Sequence, residues 1–286
     1  MSAMFSTVQN EVRLQRRGTS VARGSAQAES SETTRTGGNR SLERGIEILR
    51  AFRPGSDLLG NGELAERSGL PRATVSRLTR TLVDAGLLEE DRRHRAYRLA
   101  APVLSLAHAM RTGSPVLATA GPMMRETAEK MRINVGLAVA DREEMVYLES
   151  VRYARRVSLR NVVAGQRVPM ELTSLGRAWM SQASESMRRA LFERFEARRQ
   201  HGWPAMAAEI DAAIQMVEER GFCWAAWQPQ VLALATPLVV PGHPIYVLNM
   251  SIADAETIEQ AEREVERLHQ PLLELGRRIS DAIADI

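Results

Sequence analysis

The segment from Ser41 to Leu99 sets the tightest constraint on what this chain can fold into. Three short helical patterns follow one another, and two short strands around a basic tip close the series. The first pattern, Ser41 to Phe52, places Leu42, Ile46, Leu49 and Phe52 at helical spacing, with Ser41 as its cap and Pro54-Gly55 as a stop. The second covers Gly62 to Ser68, and Gly69-Leu70-Pro71 then makes a turn. The third runs from Arg72 to about Ala85, where Gly86 closes it. Strand-like Leu87–Glu90 and Ala96–Leu99 frame the tip Asp91-Arg92-Arg93-His94-Arg95.

Helix, turn, helix and a basic wing together predict a winged helix-turn-helix whose third helix enters the DNA major groove, roughly 12 Å wide. Val75, Leu78 and Leu82 take the buried face of that helix. The opposite face then carries Ala73, Ser76, Arg77, Arg80 and Asp84, with Arg72 and Thr74 at its N-terminal flank. Arg72, Ala73, Thr74, Ser76, Arg77 and Arg80 are the expected DNA contacts. Arg77 suits guanine O6 and N7, whereas Thr74 and Ser76 suit phosphates or a thymine methyl. Arg92, Arg93 and Arg95 suit phosphate or minor-groove contact. The competing reading, a small helical bundle with exposed arginines, does not account for the order of the elements.

Charge distribution agrees. Residues 40–111 carry thirteen arginines against nine acids, whereas the chain after 111 carries twenty bases against 23 acids. A basic front on an acidic rear points to a polyanion partner for the front. At 286 residues the chain is long enough for two domains. The expected divisions are a disordered polar tail at 1–39, the winged domain at 40–100, a linker helix at 101–114 and a second domain at 115–286. In the linker, Val103, Leu106, Ala107 and Met110 form an apolar stripe that fits subunit pairing or packing on the winged domain.

The rear half alternates. Strand-like runs are Ile133–Ala140, Met145–Val151, Val157–Asn161, Gly221–Ala226, Val231–Val240 and Pro244–Ile252. Helical runs are Ser174–Gln182, Glu185–Ala197, Met206–Arg220 and Glu256–Ile283. Pro241-Gly242-His243-Pro244 joins two strands too tightly for a parallel crossover, so at least that pair is antiparallel.

Several stretches taken in order resemble the IclR-type regulators. They are Ser41-Leu42-Glu43-Arg44-Gly45-Ile46-Glu47-Ile48-Leu49, Leu64 through Leu78, Gly86-Leu87-Leu88 and Tyr97-Arg98-Leu99 at the front. In the rear half they are Gly136 through Asp141, Val146 through Val151, and Leu172-Thr173-Ser174-Leu175-Gly176-Arg177-Ala178. The resemblance covers about residues 40–280. It implies an α+β chain of two domains, a winged helix-turn-helix joined by a helix to an α/β effector domain with a curved antiparallel sheet. It also implies double-stranded operator DNA and a small-molecule effector as partners, and homodimers, with tetramers as the open alternative. The effector-binding residues it implies are Met170, Leu172, Thr173, Ser174 and Leu175, with Ala233, Ala235, Asn249 and Ser251 on the strands, and Leu137 and Tyr147 beside them. For the apolar members of this set core packing is an equal alternative. An apolar wall with a few polar anchors suits a small organic molecule, and together with the resemblance it implies an aromatic or short organic acid of carbon catabolism. The chain departs from the family pattern where Glu171 replaces a frequent His, Ala233 a frequent Cys, and Asn249 the first Ser of a Ser-x-Ser pair. If Glu171 points inward, its carboxylate disfavours a dianionic effector.

No enzyme is expected, and neither cofactor nor metal. There is no His-x-x-x-His pair, and the single Glu-x-x-His spacing, Glu266 with His269, lacks a partner motif. Gly-x-Ser-x-Gly and Gly-rich phosphate loops are missing. Cys223, the one cysteine, sits in an apolar strand start and cannot form an internal disulfide. That usage fits a reducing cytoplasm, and no run of residues suggests a membrane span or a secretion signal. The rival class is a ligand-binding or hydrolytic domain in which the helix-turn-helix is incidental.

Overall fold

A computed structural model describes residues 38–56, 58–153, 163–199, 201–228, 231–253 and 257–286. The expected tail, nearly all of 1–39, and the expected strand at 157–161 lie outside the described residues. The chain divides into two compact units between Gly113 and Ser114.

In the first unit, helix α1 spans Arg40–Arg50. Its cap is Asn39 and not Ser41: the Asn39 side-chain oxygen accepts from the N–H groups of Ser41 and Leu42 at 3.1 and 3.2 Å. Its buried residues also differ from expectation. Gly45 and Ile48 are buried, and Ala51 and Phe52 beyond them, whereas Leu42 and Ile46 are exposed. Of the expected stripe, Phe52 is in the core and Leu49 packs against it, whereas Gly45 and Ile48 take the places expected of Leu42 and Ile46. A two-residue strand β1, Leu59–Gly60, leads into α2, Asn61–Ser68, and the Glu63 carboxylate accepts from the Gly60 N–H at 2.9 Å. Gly69, at φ +69°, ends α2 in the left-handed region that favours glycine. Helix α3, Arg72–Asp84, buries Val75, Leu78 and Leu82. Thr79 is buried with them because its hydroxyl donates to the Val75 carbonyl at 3.0 Å.

Strands β2, Leu88–Asp91, and β3, Ala96–Leu99, form the hairpin, and β1 pairs with the far edge of β3, giving the order β1-β3-β2. One core of Ile48, Phe52, Leu59, Leu64, Val75, Leu78, Leu82 and Leu88 holds the unit together, each side chain contributing about 1.5–3 kcal/mol by burial. Helix α4, Ala101–Thr112, follows and contributes no buried residue.

The second unit begins with α5, Pro115–Met131, capped by the Ser114 hydroxyl. No helix is expected here from the sequence pattern. Strands β4, Asn134–Asp141; β5, Glu144–Val151; and β6, Arg167–Pro169, come next. Helices α6, Ser174–Ser181; α7, Glu185–Arg198; and α8, Trp203–Arg220, follow. The chain then returns through β7, Cys223–Gln228; β8, Val231–Leu238; and β9, Tyr246–Ala253, to helix α9, Ile258–Ala284. The six strands form one curved antiparallel sheet in the order β6-β5-β4-β9-β8-β7. Register shifts at Leu137/Ala138 and between Ala225 and Gln228 favour its bend.

Both faces of the sheet are covered. Leu137, Leu234, Leu248 and Met250 pack on one face with Met124 of α5 and Leu268, Leu272, Leu275 and Ile279 of α9. Met145, Tyr147, Ala235 and Val247 pack on the other with Leu175 and Ala178 of α6, Phe195 of α7, and Ile210 and Ile214 of α8. Side-chain alternation along β8 and β9 thereby puts Ala233, Ala235, Asn249 and Ser251 on the α6–α8 side.

Candidate functional site

Two surfaces carry chemistry, one in each unit. In the first, burial of Val75, Leu78 and Leu82 turns the other side of α3 outward. Arg72, Ala73, Ser76, Arg77 and Arg80 are exposed there and Thr74 is half-buried. Arg72, Arg77 and Arg80 have no ion-pair partner among the described residues, so three guanidinium groups line one helix face with nothing to neutralise them. Arg92, Arg93 and Arg95 are exposed at the hairpin turn. Arg92 lies 3.9 Å from Glu90, a separation that adds little at an exposed site.

The turn itself is built by Asp91. Its carboxylate accepts from the His94 backbone N–H at 3.0 Å and pairs with Arg98 at 2.6 Å. The His94 N–H first, and then the His94 ring, hold the Asp91 carboxyl below its ordinary range. Arg95 follows in the left-handed region, φ +51°. Asp91 and Arg98 thus fix the hairpin, leaving Arg93 and Arg95 without ion-pair partners among the described residues.

The second surface is a partly open cleft on the sheet. Asn134, Val135, Gly136, Tyr147, Ser150, Arg152, Gln228, Val231, Asn249, Ser251 and Ile252 line it. Three residues of the expected effector set, Tyr147, Asn249 and Ser251, meet here. Ala233 and Ala235 are their buried neighbours, opposite Ser251 and Asn249 in register. The other expected residues sit elsewhere. Leu137 faces the α5–α9 core, and Met170, Leu172 and Leu175 pack in the α6–α8 core. Thr173 caps α6, accepting from the Gly176 N–H at 3.3 Å and donating to the Pro169 carbonyl at 2.8 Å. Ser174 is buried, and its hydroxyl has no hydrogen-bond partner among the described residues. Gly176 is required because a Cβ there would overlap the Met170 backbone.

Glu171 does not face the cleft. Its buried carboxylate accepts from Arg198 Nη2 at 2.9 Å and Arg199 Nε at 3.1 Å. The only charged side chain among the described lining residues is therefore Arg152. Inside the cleft, Asn249 Nδ2 donates to the Tyr147 hydroxyl at 3.4 Å. Burial pushes the Tyr147 phenol well above its ordinary range, so it stays protonated. Asn134, Gly136, Ser150, Arg152 and Gln228 are lining residues that the sequence pattern does not single out. The signal lies in pairing: once β4 lies between β5 and β9, Gly136 stands opposite both Ser150 and Asn249, and Asn134 opposite Ser251. Cys223 lies outside the cleft, fully buried, with its thiol pushed up to about 12 by burial.

Residues 41–92 match the IclR helix-turn-helix domain, and residues 108–280 match the C-terminal domain of the bacterial transcriptional regulator IclR. The chain is similar to the HTH-type transcriptional regulator TsaQ1/TsaQ2 of Comamonas testosteroni, at 35% identity over 188 residues, 65% of this chain and 67% of that one. Its structure is similar to that of an IclR family transcriptional regulator from Brucella abortus, with a TM-score of 0.79 and 32% identity, covering 89% of this chain and 96% of the other. It also shares its fold with an IclR homolog of Microbacterium hydrocarbonoxydans complexed with 4-hydroxybenzoate, at a TM-score of 0.62 and 19% identity over 86% of this chain and 100% of that one. The two domain matches, one at the winged unit and one over the curved sheet, place the chain in the IclR family of DNA-binding transcriptional regulators that respond to small organic effectors.

Proposed function

We propose that this regulator binds a two-fold operator as a homodimer through Arg72, Ala73, Thr74, Ser76, Arg77 and Arg80 of α3 and Arg92, Arg93 and Arg95 of the wing. The observation that carries this reading is the row of exposed arginines on α3 without ion-pair partners. Such groups gain most from phosphate and guanine, where a planar fork matches paired acceptors. The working division is a winged domain at 40–100, a connector at 101–114 and an effector domain at 115–286. The break between Gly113 and Ser114 supports it.

The effector is read as a small organic acid held in the cleft. Arg152 supplies a positive charge, and the hydroxyl and amide groups of Ser150, Gln228, Asn249 and Ser251 supply orientation. That a distant relative of the same fold is complexed with 4-hydroxybenzoate supports an aromatic acid in particular. The site is read as one that binds an effector, in keeping with relatives that are transcriptional regulators. No helix among the described residues is long and apolar enough to cross a membrane.

Selection of the full chain against random duplex DNA tests the DNA half of this reading. An enriched site with two-fold related half-sites about 10 base pairs apart, or a multiple, is expected. Failure to enrich any sequence contradicts it. Hydrogen exchange with a fragment panel spanning anionic, neutral and cationic compounds tests the cleft. Protection of β4 and β9 by some member is expected, and protection by none contradicts the assignment.

A further inference from the structure

The cleft holds a polar pair whose hydrogen bonding is incomplete among the described residues. Asn249 is 3% exposed, and its Oδ1 is buried without a partner among the described residues. Its Nδ2 donates to the Tyr147 hydroxyl over a long 3.4 Å, and the phenolic proton has no acceptor among the described residues. Turning the amide end for end lets the phenol donate to Oδ1 but takes from Nδ2 the Tyr147 oxygen, the acceptor it has as placed. As placed, the pair needs one further group that donates to Oδ1 and accepts from the phenol. A hydroxyl, which donates and accepts at once, completes it.

Backbone design supports a site over plain packing. Gly136 stands opposite Asn249 in the sheet, and a Cβ at 136 would overlap both Asn249 Oδ1 and Tyr147 Cε1. Glycine is therefore what lets the amide and the phenol converge on one strand position. A second buried acceptor without a partner, Asn134 Oδ1, belongs to another lining residue of the same cleft. Apolar side chains of similar volume would fill such a position with no unmet hydrogen bonds. Arg152 is a lining residue too, and no carboxylate lines the cleft among the described residues.

We propose that Tyr147 and Asn249, seated on Gly136, read a hydroxyl group of the effector, so that the cleft selects a hydroxylated monocarboxylate over its deoxy counterpart. This rests on the reading of the cleft as the effector site. A ligand lacking the hydroxyl leaves the buried amide and phenol incompletely bonded, which is the general reason such sites reject deoxy analogues.

The test is calorimetric titration of the full chain with three matched pairs: 4-hydroxybenzoate and benzoate, 4-hydroxyphenylacetate and phenylacetate, lactate and propanoate. In at least one pair the hydroxylated member is expected to bind roughly tenfold to a hundredfold more tightly. In that pair Tyr147→Phe should bring the affinity ratio to within about threefold of unity. Asn249→Ser, which keeps a small polar side chain, should lower the ratio as well and guards against a folding defect in the first variant. No preference in any pair, an unchanged ratio in both variants, or no binding by all six acids would overturn the proposal. Its failure is separable from failure of the cleft reading. If neutral or cationic fragments protect β4 and β9 while the acids do not, the effector site stands and the hydroxyl-reading role falls. If no compound of any class protects these strands, the site itself is wrong.

Discussion

Arg77 lies on the exposed side of α3, near its N-terminal half, without an ion-pair partner among the described residues. A base-contacting arginine at such a position supplies sequence preference as well as charge. Arg77→Ala is expected to weaken specific binding by about 1–3 kcal/mol and to relax the preference at one position. Fluorescence anisotropy on operator and random duplexes checks it, and an equal loss on both would make Arg77 a phosphate contact. Cys223 gives the opposite case, a reactive side chain that the fold silences. With its thiol pushed up to about 12, it should resist iodoacetamide at neutral pH until the chain unfolds. The sign of the linkage follows. Above the ordinary value of 9.0 the unfolded chain releases a proton that the folded chain keeps, so this group lowers stability as pH rises from about 9 toward 12. Denaturant titrations across that range, on the native chain and on Cys223→Ala, should show the native chain losing more. At this scale the exposed face of α3 was legible, because one helical face fixes its opposite. The cleft was only partly so. Thr173 and Ser174 resembled ligand anchors, but the Thr173 hydroxyl caps α6.

The wing and the helices around it show what elements add. Three arginines occupy a four-residue turn braced by Asp91 and Arg98. Replacing Arg92, Arg93 and Arg95 by Ala should weaken binding to all sequences and flatten the salt slope by up to about three, near one for each phosphate the wing no longer neutralises. Binding measured from low to moderate salt checks this, and an unchanged slope would place the wing off the DNA. Helices with unbroken periodicity were legible in the sequence to within a few residues. Helix α5 was not, because Pro115, Gly121 and Pro122 are residue types that ordinarily interrupt a helical pattern. Pro115 in fact opens the helix, and Pro122 is accommodated inside it while Ala120, Met124 and Ala128 are buried. Strands β1 and β6, of two and three residues, were too short to leave a pattern. Their existence depends on partners, β3 and β5, that are distant in sequence.

For the whole molecule, the proposed pairing of subunits rests on exposed apolar side chains. On α4, Leu104, Leu106 and Met110 are 74%, 64% and 54% exposed, and on α1 Leu42 and Ile46 are exposed as well. A second copy of the chain is the proposed cover for these side chains, since large exposed apolar patches mark interaction surfaces. Leu106→Arg should therefore yield monomers with poor operator binding while the effector domain stays folded. Sedimentation together with anisotropy checks it, and a variant that stays dimeric and binds normally would remove α4 from the pairing surface. The order of domains and the antiparallel return through Pro241-Gly242 were legible in the sequence. The position of the cleft depended on strand order and register shifts that no local pattern encodes. Sequence-specific DNA binding is settled by the affinity of the full chain for its selected operator, set against a shuffled duplex at one physiological salt concentration. A preference of roughly a thousandfold or more is expected. Equal affinity for the two duplexes would contradict the assignment of α3 and the wing as a sequence-reading surface.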